Sequence, residues 1–351
     1  MPTGALRVAV ATTQDLFVRG GGATSHAEGL SCALSSLGHE VETVQLPFGW
    51  SSKVEVLRQA YQWRLLDLRD SGADLVVTLK FPAFYVRANR KVAWILHQHR
   101  PLYDNFDLPE YSAFSSRQAE DVAIRDAVRR WDNLYLGEMR RIFTNSRTVA
   151  ERLRRYNGLD GEPLYHPPPG AERLHPGEFG DYVLWVGRLE ANKRPGLLLQ
   201  ALARARCPVR VVYAGRGALQ DTLRVEARDL GLEQRVDFRG FVPEEERVAL
   251  YAGALAVVYA PFNEDLGYVT LEAFLAEKPV ITTLDAGGPL EFVRDGVNGF
   301  VATGASGMAA AIDVYAADVA LAREHGRAGR QTYADKILAW PQVCAKLLEG
   351  V

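Results

Sequence analysis

The chain has 351 residues and a formal net charge of -2, with 48% hydrophobic and 24% charged residues. This length predicts two domains, and the composition is that of a folded globular protein rather than a disordered one. The near-neutral charge argues against a nucleic-acid partner. Three widely spaced cysteines without a CxxC pair argue against a disulfide framework or a cysteine zinc site, and they fit a reducing compartment.

The N-terminal residues form a short strand-like run rather than a signal peptide. No run of about 18 apolar residues occurs, so we predict no transmembrane helix. We therefore expect a cytoplasmic protein, and peripheral contact with the inner face of the membrane stays an open alternative.

The first half of the chain alternates short β-branched runs with amphipathic stretches of helical length. This alternation predicts a parallel sheet with helices on both faces. The predicted strands are Arg7–Ala11, Glu40–Leu46, Leu75–Leu79, Val92–Leu96 and Ile142–Thr144. The predicted helices are Ala23–Leu37, Ser51–Asp70, Ser115–Leu136 and Thr148–Tyr156.

The proline-rich segment His166–Gly170 interrupts this alternation, because proline continues neither a helix nor a central strand. The same alternation then restarts. Strands are predicted at Asp181–Val186, Arg210–Tyr213, Val236–Phe238, Ala256–Tyr259 and Val280–Thr282. Helices are predicted at Arg194–Ala205, Leu219–Leu230, Glu244–Ala252 and Gly267–Ala276, and a helix-rich segment follows at Ala309–Leu348.

We therefore predict two doubly wound, parallel-sheet, Rossmann-like α/β domains, residues 1–168 and 169–335. Residues 336–351 are predicted to form a C-terminal helix that could cross back to the first domain. Ligands of such sheets bind outside the carboxyl ends of the strands. Two such sheets facing each other would place a substrate in a central cleft between the domains.

Glycine-rich turns and charged loops follow several of the predicted strands. Gly20, Gly21 and Gly22 lie between the first strand and the first helix, where a ligand can approach the backbone and the helix start favours anions. Turn geometry alone explains these glycines equally well. Arg188 and Lys193 follow the first strand of the second half, where two cations can neutralise a diphosphate; the alternative is a solvated loop.

Glu264 and Glu272 lie eight residues apart, on either side of Gly267, which opens a helix. The free N–H groups of that helix start suit a β-phosphate, and a carboxylate can accept hydrogen bonds from a ribose diol. Acidic residues near a helix start also have a plain explanation in the helix dipole. Asp285–Glu291 forms another glycine–proline turn between a strand and a helix, and turn chemistry alone accounts for it nearly as well.

His97 follows the fourth strand in the sequence Leu96-His-Gln-His-Arg-Pro101. An HxH pair without a third ligand nearby is poor evidence for a metal, so we favour a polar contact to substrate, with a structural hydrogen bond as the alternative. The helix Ser115–Leu136 mixes arginines with aromatic residues. It is either an amphipathic core helix or a helix that rests on a membrane holding a lipid-linked acceptor.

Taken together, these segments resemble glycosyltransferase family 4, the retaining enzymes of GT-B fold, along nearly the whole chain. Gly21-Gly22 with the following helix resembles the family's opening glycine loop, and Val186-Gly-Arg188 with Lys193 resembles its donor-phosphate motif. The most specific match is Glu264 to Glu272, which fits the family's E-x7-E signature.

The resemblance implies roles for individual residues. Arg188 and Lys193 would stabilise the departing diphosphate, Glu264 would contact the transferred sugar, and His97 would touch the donor sugar, with His99 as the fallback. Glu272 would hold the ribose. The other implied donor-binding residues are Gly21, Gly22, Gly240, Phe241, Val242, Leu266, Gly267, Tyr268, Val269 and Thr270.

The implied reaction is a retaining, metal-independent transfer of a hexose-type sugar from a nucleotide-diphosphate donor to a glycan, a glycolipid or a small-molecule hydroxyl, without a cofactor. UDP and GDP donors both stay open. Asp265 and Leu266 stand where the family often has Gly and Phe, which puts in doubt any donor choice copied from the family. No Asp-x-Asp metal motif is present.

Other functions on the same kind of fold stay open from the sequence. These are a nucleotide-sugar epimerase, a phosphorylase with a lysine-bound pyridoxal phosphate, and a nucleotide-sugar-binding protein without turnover. A dinucleotide dehydrogenase is disfavoured, because no GxGxxG follows the first strand.

Overall fold

The computed structural model of the chain describes residues 4–14, 21–49 and 53–350. The chain divides into two compact units. The N-terminal unit comprises Met1–Pro169 together with Leu338–Val351, and the C-terminal unit comprises Gly170–Ile337. Each unit is built around its own sheet.

The N-terminal unit contains a six-stranded sheet. Its strands are β1 (Arg7–Gln14), β2 (Glu40–Pro47), β3 (Leu75–Thr78), β4 (Lys91–Ile95), β5 (Arg141–Thr144) and β6 (Glu162–Pro163). Its helices include α1 (Gly22–Ser36), α2 (Lys53–Leu65), α3 (Ala119–Leu136) and α4 (Arg147–Asn157). All strand pairs are parallel, in the order β2-β1-β3-β4-β5-β6.

Both faces of this sheet are covered, as a parallel sheet requires. Strand β4 is buried along its whole length. Its side chains alternate between two apolar clusters: Ala93 and Ile95 belong to one, and Val92 and Trp94 to the other. The continuous apolar run in the sequence is therefore the signature of a strand buried on both faces.

The C-terminal unit repeats this architecture. Its strands are β7 (Tyr182–Val186), β8 (Arg210–Ala214), β9 (Val236–Gly240), β10 (Ala256–Val258), β11 (Val280–Thr283) and β12 (Gly299–Ala302). Its helices are α5 (Pro195–Leu202), α6 (Gln220–Asp229), α7 (Glu244–Gly253), α8 (Tyr268–Leu275), α9 (Gly304–Ala317) and α10 (Val319–Lys336). The sheet is parallel throughout, in the order β12-β11-β10-β7-β8-β9.

The strand order of the C-terminal unit reverses between β7 and β10. The chain moves from β7 to β8 and β9 on one side, and from β10 to β11 and β12 on the other. The loops that leave the carboxyl ends of β7 and β10 therefore diverge and leave a crevice, which is where doubly wound sheets bind ligands. Together the two units confirm the predicted pair of doubly wound parallel sheets.

The last helix of the chain, α11 (Trp340–Leu347), belongs to the N-terminal unit. Val343, Cys344 and Leu347 are buried there in the same apolar cluster as Leu30 and Leu34 of α1. A Cβ on Gly29 would lie 2.8 Å from the Trp340 ring, so α1 and α11 pack closely. The terminal helix begins later than the predicted residue 336, because α10 runs to Lys336.

Several predicted helix ends are wrong. The predicted helix Ser51–Asp70 is too long: α2 ends at Leu65, Asp67 pairs with Arg87 in an isolated bridge, and residues 51 and 52 lie outside the described residues. The helix predicted to begin at Ser115 begins at Ala119. The helix predicted from Arg194 begins at Pro195, because Arg194 has φ 47°.

Short elements are missing from the prediction altogether. Strands β6 and β12 were not predicted, because Pro163 and Gly299 weaken the strand signal in runs of two and four residues. Six one-turn 3-10 helices were not predicted either. These are Ala83–Tyr85, Arg100–Leu102, Ala171–Arg173, Ala191–Lys193, Glu233–Arg235 and Gly288–Glu291.

Helix α3 buries Ile124, Val128 and Leu136 in the core of the N-terminal unit. Of its two interpretations, the structure therefore favours the amphipathic core helix. Within the described ranges, no single helix is long and apolar enough to span a bilayer. Taken together, Gly304–Ala317 and Val319–Leu347 have the length and composition of a membrane-spanning segment, but the chain bends by 108° between them.

Candidate functional site

An ion pair joins the loops that follow β7 and β10. Lys193 ends a 3-10 turn after β7, and its Nζ contacts the carboxylate of Glu264, in the loop after β10. The Tyr259 hydroxyl donates a hydrogen bond of 2.8 Å to the same carboxylate and lies 3.4 Å from Lys193 Nζ. The side chains of Lys193 and Glu264 are only 16% and 14% exposed. A cation, an anion and a hydroxyl thus meet at the point where the strand order reverses.

Tyr259 remains a hydrogen-bond donor over the physiological pH range. Burial, together with the Glu264 carboxylate, raises the pKa of Tyr259 well above its usual value. The hydroxyl therefore keeps its proton and fixes one face of the Glu264 carboxylate.

The backbone of Glu264 is clamped by the turn that follows β11. Its N–H donates to the carbonyl of Ala286 at 2.7 Å, and Gly288 donates back to its carbonyl at 2.9 Å. Gly287 has φ 76°, and a Cβ there would lie 2.5 Å from the Glu264 carbonyl oxygen. The glycine pair of the Asp285–Glu291 segment is therefore required so that this turn can approach Glu264.

Arg194 holds three loops of the site together, a role that was not predicted from the sequence. Its guanidinium donates to the carbonyls of Ala260 and Pro261 at 2.8 Å each, and to Thr283 Oγ1 at 2.7 Å. It also makes a bidentate pair with Asp285 at 2.7 Å. That hydrogen-bonded pair lowers the pKa of Asp285. The only signal in the sequence was its place in a charged loop after a strand.

Helix α8 carries the second glutamate of the signature. Gly267 precedes the helix with φ 84°, and no side chain caps the helix start. Leu266 and Thr270 are buried, and Tyr268 and Val269 are half-buried. Within the described residues, the buried Thr270 hydroxyl has no hydrogen-bond partner.

Glu272, in the second turn of α8, is buried and accepts hydrogen bonds from helix α7. Arg247 Nη1 lies 2.5 Å from one carboxylate oxygen, and the Tyr251 hydroxyl lies 2.5 Å from the other. Neither donor was predicted from the sequence. The available signal was weak: Arg247 and Tyr251 are four residues apart and so share one helix face.

Arg188 does not join the Lys193–Glu264 pair through any described contact. Its side chain is 61% exposed and pairs with Glu190 at 2.8 Å. Its backbone neighbours are nevertheless tightly held, because Gly187 donates to the Ala214 carbonyl at 3.1 Å and Leu189 to the Arg216 carbonyl at 2.9 Å. The loop is fixed while the guanidinium lies at the surface.

The segment Gly240–Val242 lies at the outer strand of the sheet. Gly240 ends β9, has φ 69°, and accepts a 2.7 Å hydrogen bond from the Gly215 N–H. Phe241 is 73% exposed, and Val242 is half-buried. Phe241 therefore presents an aromatic surface to solvent at the carboxyl end of β9.

The N-terminal unit holds the remaining predicted residues. Gly21 caps the start of α1 with φ 118°, Gly22 is the first residue of that helix, and both are exposed. No side chain caps this helix start. Gly20 lies outside the described residues.

His97 and His99 follow β4 and differ in their surroundings. His97 is half-buried, and its Nδ1 lies 2.8 Å from the Gln98 carbonyl oxygen. His99 is buried and stacks on Phe81 at 5.3 Å, and burial lowers the pKa of His99 to about 3. Its ring is therefore neutral at physiological pH, and His97 is the more accessible of the two.

The described ranges contain no group of three or more His, Cys, Asp or Glu side chains that could hold a metal ion. Lys193 and Arg194, two cationic side chains at the crevice of the C-terminal unit, are each paired with a carboxylate.

Comparisons with known proteins give the C-terminal unit a family resemblance. Residues 175–332 match the family model of the glycosyl transferases group 1. D-inositol 3-phosphate glycosyltransferase of Frankia alni is 36% identical over 161 residues, which are 42% of this chain and 39% of that protein. The Corynebacterium glutamicum protein of the same name is 37% identical over 133 residues, 35% and 32% of the two chains. The chain thus spans about two fifths or less of the length of these relatives.

Solved structures resemble the whole chain. Anabaena HepE in complex with UDP and glucose has a TM-score of 0.71 and 18% identity, with 98% of both chains covered. Sucrose-phosphate synthase from Thermosynechococcus elongatus has a TM-score of 0.76 and 17% identity, with 97% of both covered. A glycosyltransferase from Rickettsia africae has a TM-score of 0.70 and 13% identity over 99% of this chain. The chain therefore has the GT-B fold, and its residues 175–332 are similar in sequence to the glycosyl transferases of group 1.

Proposed function

We propose that the protein is a glycosyltransferase that moves a hexose-type sugar from a UDP- or GDP-sugar to the hydroxyl of a glycan, a glycolipid or a small molecule. The observation that carries this proposal is the pairing of Lys193 with Glu264 and Tyr259 at the carboxyl ends of β7 and β10. It lies within the segment that matches the glycosyl transferases group 1. A site with one cation and one adjacent carboxylate suits a donor with an anionic diphosphate and a neutral, hydroxyl-rich sugar.

In this proposal Lys193 stabilises the negative charge that develops on the departing diphosphate, and Arg188 turns from Glu190 to assist it. The uncapped start of α8 at Gly267 meets the β-phosphate, because its N–H groups and the helix dipole favour an anion. Glu264 accepts hydrogen bonds from the sugar hydroxyls, and Glu272 from the ribose. His97 of the N-terminal unit contacts the donor sugar.

We propose a front-face reaction that retains the anomeric configuration. The acceptor oxygen forms a bond to the anomeric carbon as the bond from that carbon to the phosphate oxygen breaks, on the same face of the ring. The acceptor proton passes to the departing phosphate oxygen. The reaction as proposed needs no metal ion, so activity should be unchanged by EDTA.

The first test is to incubate the purified protein with UDP-, GDP- and dTDP-sugars without an acceptor. We expect one donor to raise the melting temperature and to release its nucleoside diphosphate slowly. Glu264→Gln should abolish this release. Glu233→Gln is the matched control, because that glutamate lies at the surface beside Arg228. If no nucleotide sugar binds, the proposed function is wrong.

The second test identifies the acceptor and the stereochemistry. The preferred donor is combined with an acceptor panel of glycans, glycolipids and small-molecule hydroxyl compounds. The panel includes inositol phosphate, because the curated relatives carry that acceptor in their name. NMR assignment of the anomeric proton in the product should show the configuration of the donor. An inverted product would refute the front-face reaction, and release of a changed nucleotide sugar instead of a glycoside would indicate an epimerase.

A further inference from the structure

Helix α7 presents two hydrogen-bond donors to the Glu272 carboxylate of α8. Arg247 and Tyr251 are one helical turn apart and so lie on the same face. Arg247 Nη1 lies 2.5 Å from Oε1 of Glu272, and the Tyr251 hydroxyl lies 2.5 Å from Oε2. Each carboxylate oxygen therefore has its own donor, and both donors come from one helix.

The arrangement is buried, and its tyrosine keeps its proton over the physiological pH range. Tyr251 is fully buried, and Glu272 is 7% exposed. Burial, and next the Glu272 carboxylate, raise the pKa of Tyr251 well above its usual value, so its hydroxyl stays a donor. Arg247 is 20% exposed and also lies 3.8 Å from Glu244. Neither donor can leave without exposing an unpaired group in a low-dielectric site.

The Glu272 carboxylate keeps spare acceptor capacity in this arrangement. An ionised carboxylate offers about four acceptor sites, two on each oxygen. Arg247 and Tyr251 each occupy one of them, on different oxygens. The carboxylate is thus held in one orientation, with one acceptor position on each oxygen left for a pair of adjacent hydroxyl groups.

We propose that Arg247 and Tyr251 are positioning residues for nucleotide recognition: they orient the Glu272 carboxylate so that it reads the two hydroxyls of a ribose. This inference rests on the proposed function, in which Glu272 holds the ribose. The competing explanation is a buried ion pair that only ties α7 to α8. The two explanations differ in whether the effect of the donors depends on the ribose hydroxyls.

The test compares the affinity of the protein for a nucleoside diphosphate and for its 2′-deoxy analogue, by isothermal titration calorimetry. UDP and 2′-deoxy-UDP serve if UDP binds, and GDP and 2′-deoxy-GDP if GDP binds. The wild type should bind the ribonucleotide about 10-fold more tightly, because one hydrogen bond to a charged acceptor is lost in the analogue. Tyr251→Phe should weaken ribonucleotide binding about 5-fold or more, and should weaken binding of the deoxy analogue, which keeps only the 3′-hydroxyl, by a smaller factor.

Tyr182→Phe is the matched control. The Tyr182 hydroxyl also donates to α7, at 2.7 Å to the Leu250 carbonyl, but it does not contact Glu272. This variant should keep the wild-type preference for the ribonucleotide. Glu272→Gln should lose the preference, and adding Tyr251→Phe to it should cause no further loss. Arg247→Lys, which keeps the positive charge but not the planar fork, provides a second positioning variant.

Each outcome has a clear meaning. Equal losses for the two nucleotides in Tyr251→Phe, or an unchanged preference in a folded variant, would overturn the positioning role and leave a structural ion pair. A wild type that binds both nucleotides equally would also overturn it, together with the ribose-binding role of Glu272, while leaving the proposed sugar transfer itself intact. No binding of any nucleoside diphosphate would instead refute the proposed function. With the preferred donor, Tyr251→Phe should raise KM and leave kcat unchanged.

Discussion

Arg194 lends itself to a quantitative prediction, because it combines an unfavourable backbone with many hydrogen bonds. Its φ of 47° lies in the left-handed region, which costs a residue other than glycine about 1 kcal/mol. Its guanidinium offsets this cost by donating to the buried carbonyls of Ala260 and Pro261 and by pairing with Asp285. Two substitutions should therefore measure the energy of the backbone strain and that of the side-chain hydrogen bonds separately.

Arg194→Ala removes the hydrogen bonds and keeps the strain. Leaving the two carbonyls without their charged donor should cost about 1.5 kcal/mol each. The pair with Asp285, which is 49% exposed, should contribute less than about 1 kcal/mol. The sum is a loss of about 3 to 4 kcal/mol. Arg194→Gly makes the same deletion but relieves the strain of about 1 kcal/mol, so it should lose only about 2 to 3 kcal/mol.

The measurement is hydrogen–deuterium exchange of the full chain, read as opening free energies of peptides in the C-terminal unit. The predicted order, with glycine more stable than alanine, reverses the usual order of these residues in a helix. Arg210→Ala is the control, because its pair with Asp181 lies at the surface and should change the opening free energy by less than about 1 kcal/mol. If the alanine variant equals or exceeds the glycine variant in stability, our assignment of strain to Arg194 is refuted.

Three further predictions concern other parts of the chain. Gly215→Ala should lower stability by about 3 kcal/mol in urea unfolding, because its Cβ would lie 1.7 Å from the Gly187 carbonyl oxygen; a neutral result would contradict the tight loop pairing. Burial lowers the pKa of His166 from 6.5 to about 4. The neutral ring therefore makes its full contribution to the free energy of unfolding above pH 6.5, and about 3 kcal/mol of that free energy is lost as the pH falls to about 4. His166→Gln should flatten that slope in acid-unfolding curves. Burial raises the pKa of Asp132 to about 7, so its effect on stability runs in the opposite direction along the pH scale. The protonated carboxyl makes its full contribution to the free energy of unfolding below about pH 4, and this contribution is lost as the pH rises through 7. Asp132→Asn should remove this loss, and an unchanged slope would contradict it.

The fold could be predicted from the sequence because its signals are local. Buried parallel strands give short apolar runs such as Leu75–Leu79, and glycine or charged turns mark their carboxyl ends. A doubly wound sheet brings those ends together, so Lys193 and Glu264 meet although 71 residues separate them. The predicted topology therefore indicated that residues from separate loops lie in one site.

The contacts that orient these residues could not be predicted, because they depend on side-chain directions across distant elements. Arg194 reaches Asp285, 91 residues away, and Arg247 reaches Glu272, 25 residues away. No spacing rule distinguishes these arginines from surface arginines such as Arg210. Arg188 shows the converse: its segment resembles a donor-phosphate motif, yet its side chain lies at the surface beside Glu190.

Because α11 belongs to the N-terminal unit, the C-terminal unit is inserted within the sequence of the N-terminal unit. The N-terminal unit is encoded in two pieces, before Gly170 and after Ile337, and the second piece supplies part of its core. A truncation that removes Trp340–Leu347 would therefore destabilise the core formed by the first half of the sequence, where Trp340 packs against Trp94 and His166. To obtain the N-terminal unit alone, one would delete residues 170–337 and splice the two pieces.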